Sequence, residues 1–223
     1  MFRGSQLIGF GAGQRGAFRA DANTLLLLHM DGDDASTTFT DSSANGYTVN
    51  VNGDAQISTA QKRYGNGSLL CGGSGDYLQV NDTPGLEFSG NWTIECQIRA
   101  DDDDATFGGI FGRGVTGAGN AVYQFRKNDA GSFNWALSSD GSNWDIALEA
   151  TVGAYAALTW TKVALVFNGT NYRVLVDGVV VDTIVSSTPV YAAGNGNHVI
   201  GTDNLADFAG YIDEFRISDV ARY

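Results

Sequence analysis

Residues 92–99 read Trp92-Thr93-Ile94-Glu95-Cys96-Gln97-Ile98-Arg99. Trp92, Ile94, Cys96 and Ile98 fall on one side of a two-residue period, and Thr93, Glu95, Gln97 and Arg99 fall on the other. Such an alternation marks a strand with one buried face and one wet face. Downstream, Val163, Leu165 and Phe167 alternate in the same way up to Asn168-Gly169. Tyr172 to Val176 follows, then Asp177-Gly178, then Val179 to Ile184. Asn-Gly and Asp-Gly suit type I′ hairpin turns, whose central residues take positive φ. Outward from this meander, the pattern predicts strands at Leu25–Leu28, Tyr47–Val51, Ser68–Cys71, Tyr77–Val80, Phe107–Phe111, Val122–Arg126, Phe133–Ser138, Trp144–Leu148, Val199–Gly201 and Phe208–Ile217. Short strands at regular spacing indicate an all-β sandwich or barrel. The one helical signal is a short turn near Asp219–Arg222.

Composition agrees. Of 223 residues, 30 are Gly and 17% are charged, against about 25% charged in an ordinary globular domain. The acids comprise four Glu (Glu87, Glu95, Glu149, Glu214) and 21 Asp, a balance that favours turns over helices. A helical bundle and an α/β nucleotide-binding fold are therefore excluded. The net charge of −12 argues against nucleic acid and anionic membranes as partners. It divides unevenly. Residues 1–20 hold Arg3, Arg15 and Arg19 with no acid, while residues 21–223 hold 10 basic and 25 acidic residues. No apolar run approaches the roughly 18 residues of a membrane span. The first residues lack the continuous apolar core of a signal peptide, so synthesis in the cytoplasm is expected.

Residues 1–23, rich in Gly and without a period, read as a basic arm; residues 24–223 read as one body. Phe2, Phe10 and Phe18 make the arm too apolar for a solvated tail. With Arg3, Arg15 and Arg19 they are expected to dock on a neighbouring acidic body.

Three stretches carry a resemblance. They are Leu26 to Asp34 with Phe39 to Gly46, Tyr64 to Leu78, and Gly210-Tyr211-Ile212-Asp213-Glu214-Phe215-Arg216-Ile217-Ser218 with Ala221-Arg222-Tyr223. With Trp160-Thr161-Lys162-Val163-Ala164 and Val176-Asp177-Gly178, they resemble the laminin-G-like, concanavalin A-like domain family, in a form frequent among bacteriophage structural proteins. The resemblance implies a jelly-roll sandwich of two antiparallel sheets. It also implies one structural Ca²⁺ held by Asp31 and Asp213, with Asp76 or its turn contributing. The alternative is that Asp31 and Asp76 cap turns through local bonds.

The residues themselves leave further readings open. Cys71 and Cys96 both point inward by strand parity, either as reduced thiols or as a disulfide. Trp144, Tyr155 and Tyr191, with Asn195 and Asn197 nearby, lie near turns and are candidates for stacking and bonding a glycan; Trp92, Trp135 and Trp160 are expected in the core. Asp101 to Asp104 reads as a solvated loop tip. Retaining glycosidases of this fold carry Glu-x-Asp-x-x-Glu on one strand, and that pattern is absent here. The leading expectation is a non-enzymatic virion protein, a capsid decoration or tail-associated subunit. It would form a homo-oligomer or join other capsid or tail proteins through the arm. The alternative is a carbohydrate-binding module or adhesin that recognises host surface glycans.

Overall fold

The computed structural model describes residues 17–101, 107–114, 120–128, 131–192 and 196–223. Among them the chain is two antiparallel sheets packed face to face. The strands are β1 (Thr24–Leu28), β2 (Val49–Asn52), β3 (Gln56–Ser58), β4 (Ser68–Gly72), β5 (Tyr77–Val80), β6 (Trp92–Ala100), β7 (Gly108–Arg113) and β8 (Tyr123–Lys127). They continue with β9 (Phe133–Leu137), β10 (Ala147–Val152), β11 (Thr161–Phe167), β12 (Asn171–Val176), β13 (Val179–Val185), β14 (His198–Ile200) and β15 (Ala209–Ser218). One sheet runs β13-β12-β11-β6-β15-β4-β3, with β1 also on β15; the other runs β10-β9-β8-β7-β14-β5-β2. The expected jelly-roll sandwich is what forms. The helical turn anticipated near 219–222 is absent, and the helix among the described residues is a single 3-10 turn at Pro84–Leu86.

The hairpins follow their turn residues. Asp177 and Gly178 both take positive φ, as a type I′ turn requires. Between β11 and β12 the central pair is Gly169-Thr170, with Gly169 at φ 88 and Asn168 accepting from the amides of Thr170 and Asn171. A lone positive φ at the first central residue is the type II′ pattern, so this turn differs from the expected one.

Between the sheets lie Trp92, Phe111, Tyr123, Phe125, Phe133, Trp135 and Phe215, all at most 1% exposed. Phe111 stacks on Phe125 at 5.1 Å, and Trp92 stacks on Phe88 at 4.7 Å. Each such side chain contributes on the order of 1.5–3 kcal/mol by leaving water. Trp160 is half-buried rather than in this core.

The predicted wet face of β6 is not wet. Thr93, Glu95 and Gln97 are all buried, and Phe18 together with residues 220–223 lies across this side of the sheet. Thr93 Oγ1 donates to the Val220 carbonyl, and Tyr223 Oη donates to Glu95 Oε2 at 2.5 Å. Phe18 lies over the same sheet, its ring 4.8 Å from Lys162 Nζ and 4.3 Å from the Arg216 guanidinium. Its amide donates to Glu214 Oε2 at 2.7 Å. The expectation that Phe18 docks on a neighbouring chain is therefore corrected: Phe18 docks on its own. Arg19 is exposed, with its carbonyl accepting from Arg216 Nη1. Phe2, Arg3, Phe10 and Arg15 lie outside the described residues.

Candidate functional site

The outer face of the seven-stranded sheet carries amides where an ordinary wet face carries charges. On β5, Leu78 and Val80 enter the core, so Tyr77 and Gln79 point outward. Residues paired across strands share a face. Asn52 pairs with Tyr77 and Asn50 with Gln79. The same row continues through Val199, Gly112, Gln124 and Ala136. One row on, Arg126 pairs with Asn134, and Asn134 with Thr151.

Two glycines let a loop lie on this face. A Cβ at Gly109 would stand 2.1 Å from the Asp203 amide nitrogen, and one at Gly112 would stand 3.0 Å from Asp203 Cα. The loop 202–207 therefore crosses over β7. It is held internally, with Asp203 Oδ1 accepting from the amides of Leu205 and Ala206 at 3.0 and 2.8 Å. Asp203 Oδ2 accepts from Gln124 Nε2 and pairs with Arg126 Nε at 2.7 Å. Burial pushes the Asp203 carboxyl up, against the pull of Arg126.

This crossing divides the face. On one side a cleft of about 270 Å³ is lined by Gly75, Tyr77, Thr202, Asn204, Leu205 and Asp207. Tyr77 is half-buried and Leu205 is 58% exposed. Asn52 is paired beside Tyr77, and Asn50 and Gln79 form the next outward pair along these strands; Asn52 Nδ2 is buried without a hydrogen-bond partner. On the other side, Arg126 lies 5.2 Å from the exposed Phe107 ring and 3.8 Å from Glu149. Asn134 Nδ2 donates to the Glu149 carbonyl at 2.6 Å. None of these polar residues stands out in the sequence, because register alone brings them together.

The expected aromatic site is only partly assembled. Trp144 is half-exposed on the β9–β10 loop, where Asp140 and Asp145 accept from the amides of Ser142, Asn143 and Ser139. These bonds, led by that from the Asn143 side chain, hold the Asp140 carboxyl well below the usual carboxylate range. Tyr191, also half-buried, joins this rim by donating its amide to the Ser138 carbonyl at 2.8 Å. Tyr155 is corrected to a core residue. It is 9% exposed and lies 5.2 Å from the Phe133 ring. Asn197 is engaged structurally, its Oδ1 accepting from the Asp82 amide. Asn195 lies outside the described residues, as do Asp102, Asp103 and Asp104; Asp101 is exposed.

The three candidate calcium ligands do not meet. Asp31 Oδ1 accepts from the amides of Asn66 and Gly67, just before β4. Asp76 Oδ2 accepts from the Gly72 amide at the end of β4. At about 3.3 Å per residue, β4 holds these two carboxylates roughly 16 Å apart. Asp213 lies at the Asp31 end, where Oδ2 accepts from the amides of Arg63 and Tyr64 at 2.7 and 2.9 Å. Its Oδ1 is buried without a partner. Burial, with Glu214 and Asp31 nearby, pushes this carboxyl up to about 7. Ca²⁺ takes about six to eight oxygens, and among the described residues no three acidic, His or Cys side chains form a metal-holding group. The expected trio does not fit a calcium cage. Asp76 behaves instead as a turn residue, since its Oδ1 also accepts from the Asp54 amide.

Cys71 and Cys96 are both buried and both free, so the disulfide reading is replaced by two small buried hydrophobes. Burial pushes both thiols up. No helix among the described residues is long and apolar enough to cross a membrane.

The family described as Concanavalin A-like lectin/glucanases superfamily matches residues 72–223. No curated protein matches the sequence. Among solved structures, the binding domain of Paraclostridial Mosquitocidal Protein 1 superposes with a TM-score of 0.69 at 15% identity, over 90% of this chain and 50% of that one. The botulinum neurotoxin serotype D binding domain gives 0.67 at 15%, over 89% and 49%. A botulinum neurotoxin type C structure, whose cell entry is described as dependent on interaction with two ganglioside molecules, gives 0.64 at 14%, over 90% and 49%. This chain spans about half the length of each, and at such identity the likeness is one of fold.

Proposed function

The chain belongs to the concanavalin A-like lectin/glucanases superfamily, and from that membership we propose that it is a non-catalytic module that binds cell-surface glycans on the outer face of its seven-stranded sheet. The observation that carries this reading is the cleft beside Tyr77, with the amide row Asn52, Asn50 and Gln79 next to it on the same sheet face. An amide side chain donates and accepts at once, which suits neighbouring sugar hydroxyls. Tyr77 and Leu205 offer apolar surface to the C–H side of a pyranose ring. A pocket with an apolar platform and a few convergent polar groups is the general form of a small-ligand site. The fold shared with toxin binding domains supports a cell-surface partner.

A hydrolase needs two available carboxylates flanking the scissile bond. Two of the four Glu are committed to holding the fold, Glu95 to Arg216, Lys162 and Tyr223, and Glu214 to His29 and the Phe18 amide; beside the cleft, Asp207 accepts from the Gly75 amide and Asp76 from the Gly72 and Asp54 amides. That supports a binding role. The charge split between residues 1–20 and the acidic body favours display on a virion as the setting for the module. Deleting residues 1–16, which keeps Phe18 and Asp21 in place on the body, and measuring oligomer size or particle binding tests that setting, and no change rejects it.

The test of the main reading is a glycan array probed with the full chain, Tyr77→Ala and Trp144→Ala. Saccharide binding kept in Trp144→Ala and lost in Tyr77→Ala supports the sheet face. Loss in Trp144→Ala instead moves the site to the rim, and a blank array rejects the function.

A further inference from the structure

We propose that the glycan taken by this cleft is uncharged, and that sialylated or sulphated sugars are excluded. The inference rests on the glycan reading above and concerns the chemistry of the same site. Among the described residues, no Lys or Arg lines the cleft. Arg126, the cation that β8 presents to this face, is already matched by Asp203 at 2.7 Å and Glu149 at 3.8 Å. Lys127, on the same strand, is 1% exposed. Carboxylates crowd the corner instead. Asp207 lines the cleft, Asp76 sits between the lining residues Gly75 and Tyr77, and Asp54 is bonded through its amide to Asp76.

Backbone amides are the other means of holding an anion. Here the protein's own oxygens take them. The Gly75 amide donates to Asp207 Oδ2 at 2.8 Å and the Gly72 amide to Asp76 Oδ2 at 3.1 Å. In the facing loop, the Leu205 and Ala206 amides donate to Asp203 Oδ1, and the Asn204 amide to Thr202 Oγ1. An incoming carboxylate or sulphate would find these donors spent and like charge beside it. A neutral sugar meets the opposite situation. Its hydroxyls can donate to Asp207 and to the amide oxygens of the neighbouring Asn50 and Gln79, whose side-chain amide nitrogens donate to Asn81.

The test uses pairs of oligosaccharides identical except for a terminal sialic acid or a sulphate, titrated against the full chain. The neutral member is expected to bind at least about tenfold tighter, equivalent to about 1.4 kcal/mol. The gap should narrow in Asp207→Asn and in the exposed-site variant Asp54→Asn. It should also narrow as salt rises towards about 1 M, where charges further apart than about 3 Å are screened. Equal or tighter binding of the charged member overturns this inference and leaves the glycan reading standing. Silence of both members across every pair overturns the glycan reading and this inference together.

Discussion

The Arg216 guanidinium stands 4.3 Å from the centre of the Phe18 ring while its Nε donates to Glu95 Oε1 at 3.0 Å. The N-terminal segment thus lids an ion cluster in the middle of the eight-stranded sheet. Lys162 completes it, with Nζ 3.0 Å from Glu95 Oε2. Burial alone would raise the Glu95 carboxyl, but Arg216 and Lys162 hold it below its ordinary value. Phe18→Ala removes apolar cover and two ring–cation contacts, and is expected to cost about 2–4 kcal/mol. Glu95→Gln strands two cations and is expected to cost about 3–5 kcal/mol. Urea unfolding measures both. A loss below about 0.5 kcal/mol in Phe18→Ala, the ordinary range of a surface change, would show that the segment does not pack here.

Asp213 makes stability depend on pH. Its folded pKa, about 7, lies above the value of about 3.9 expected in the unfolded chain. Between these values the folded state holds a proton that the unfolded state has released, so stability falls as pH rises from about 4 to about 7. The full effect is up to about 4 kcal/mol. His29, raised by its bond to Glu214, and Asp203, raised by burial, act in the same direction, so the comparison must be with a variant. In Asp213→Asn the amide oxygen still accepts from Arg63 and Tyr64 and the charge is gone. Its stability relative to the parent is expected to increase steadily across that window. A difference that stays flat from pH 4 to 8 contradicts the assignment.

Strand patterning was the legible part of this chain. The alternation of Trp92, Ile94, Cys96 and Ile98 located β6, and Asp177-Gly178 located the β12–β13 hairpin. Trp144 to Leu148 also alternates, yet the strand begins only at Ala147. Asp145 turns back to cap Ser139 and keeps Trp144 in the loop. The three residues of β3 were too short to leave a period. The site was less legible for a different reason. Asn50, Gln79 and Gln124 are ordinary outward residues on their own strands, and they share a row only through pairings with β14 and β7. Local pattern says which way a side chain points and does not say which distant strand lies beside it.

The cysteines offer a chemical check on burial. Cys71 and Cys96 are both fully buried, and burial disfavours their thiolate forms, which are the reactive species. The native chain is expected to react negligibly with a thiol reagent such as dithiobis(nitrobenzoate). Two thiols should appear in denaturant without reductant. Finding none in denaturant would instead show a disulfide.

Gly109 tests whether the loop 202–207 belongs on the sheet. An added Cβ would meet the Asp203 amide nitrogen at 2.1 Å and the Ala206 carbonyl oxygen at 2.5 Å. Both are backbone atoms, so no side chain can swing aside to relieve the contact. Gly109→Ala must therefore lift the loop, at an expected cost of about 1–3 kcal/mol. Thr202, Asn204, Leu205 and Asp207 would move with it, and these form one wall of the cleft. Saccharide binding should fall further than the stability loss explains, because the folded fraction at 25 °C stays near one. Gly90→Ala is the control: nothing lies within 4 Å of its added Cβ, and both stability and binding should be unchanged. Full binding and parental stability in Gly109→Ala would mean that the loop does not rest on β7 and that the cleft is not the site.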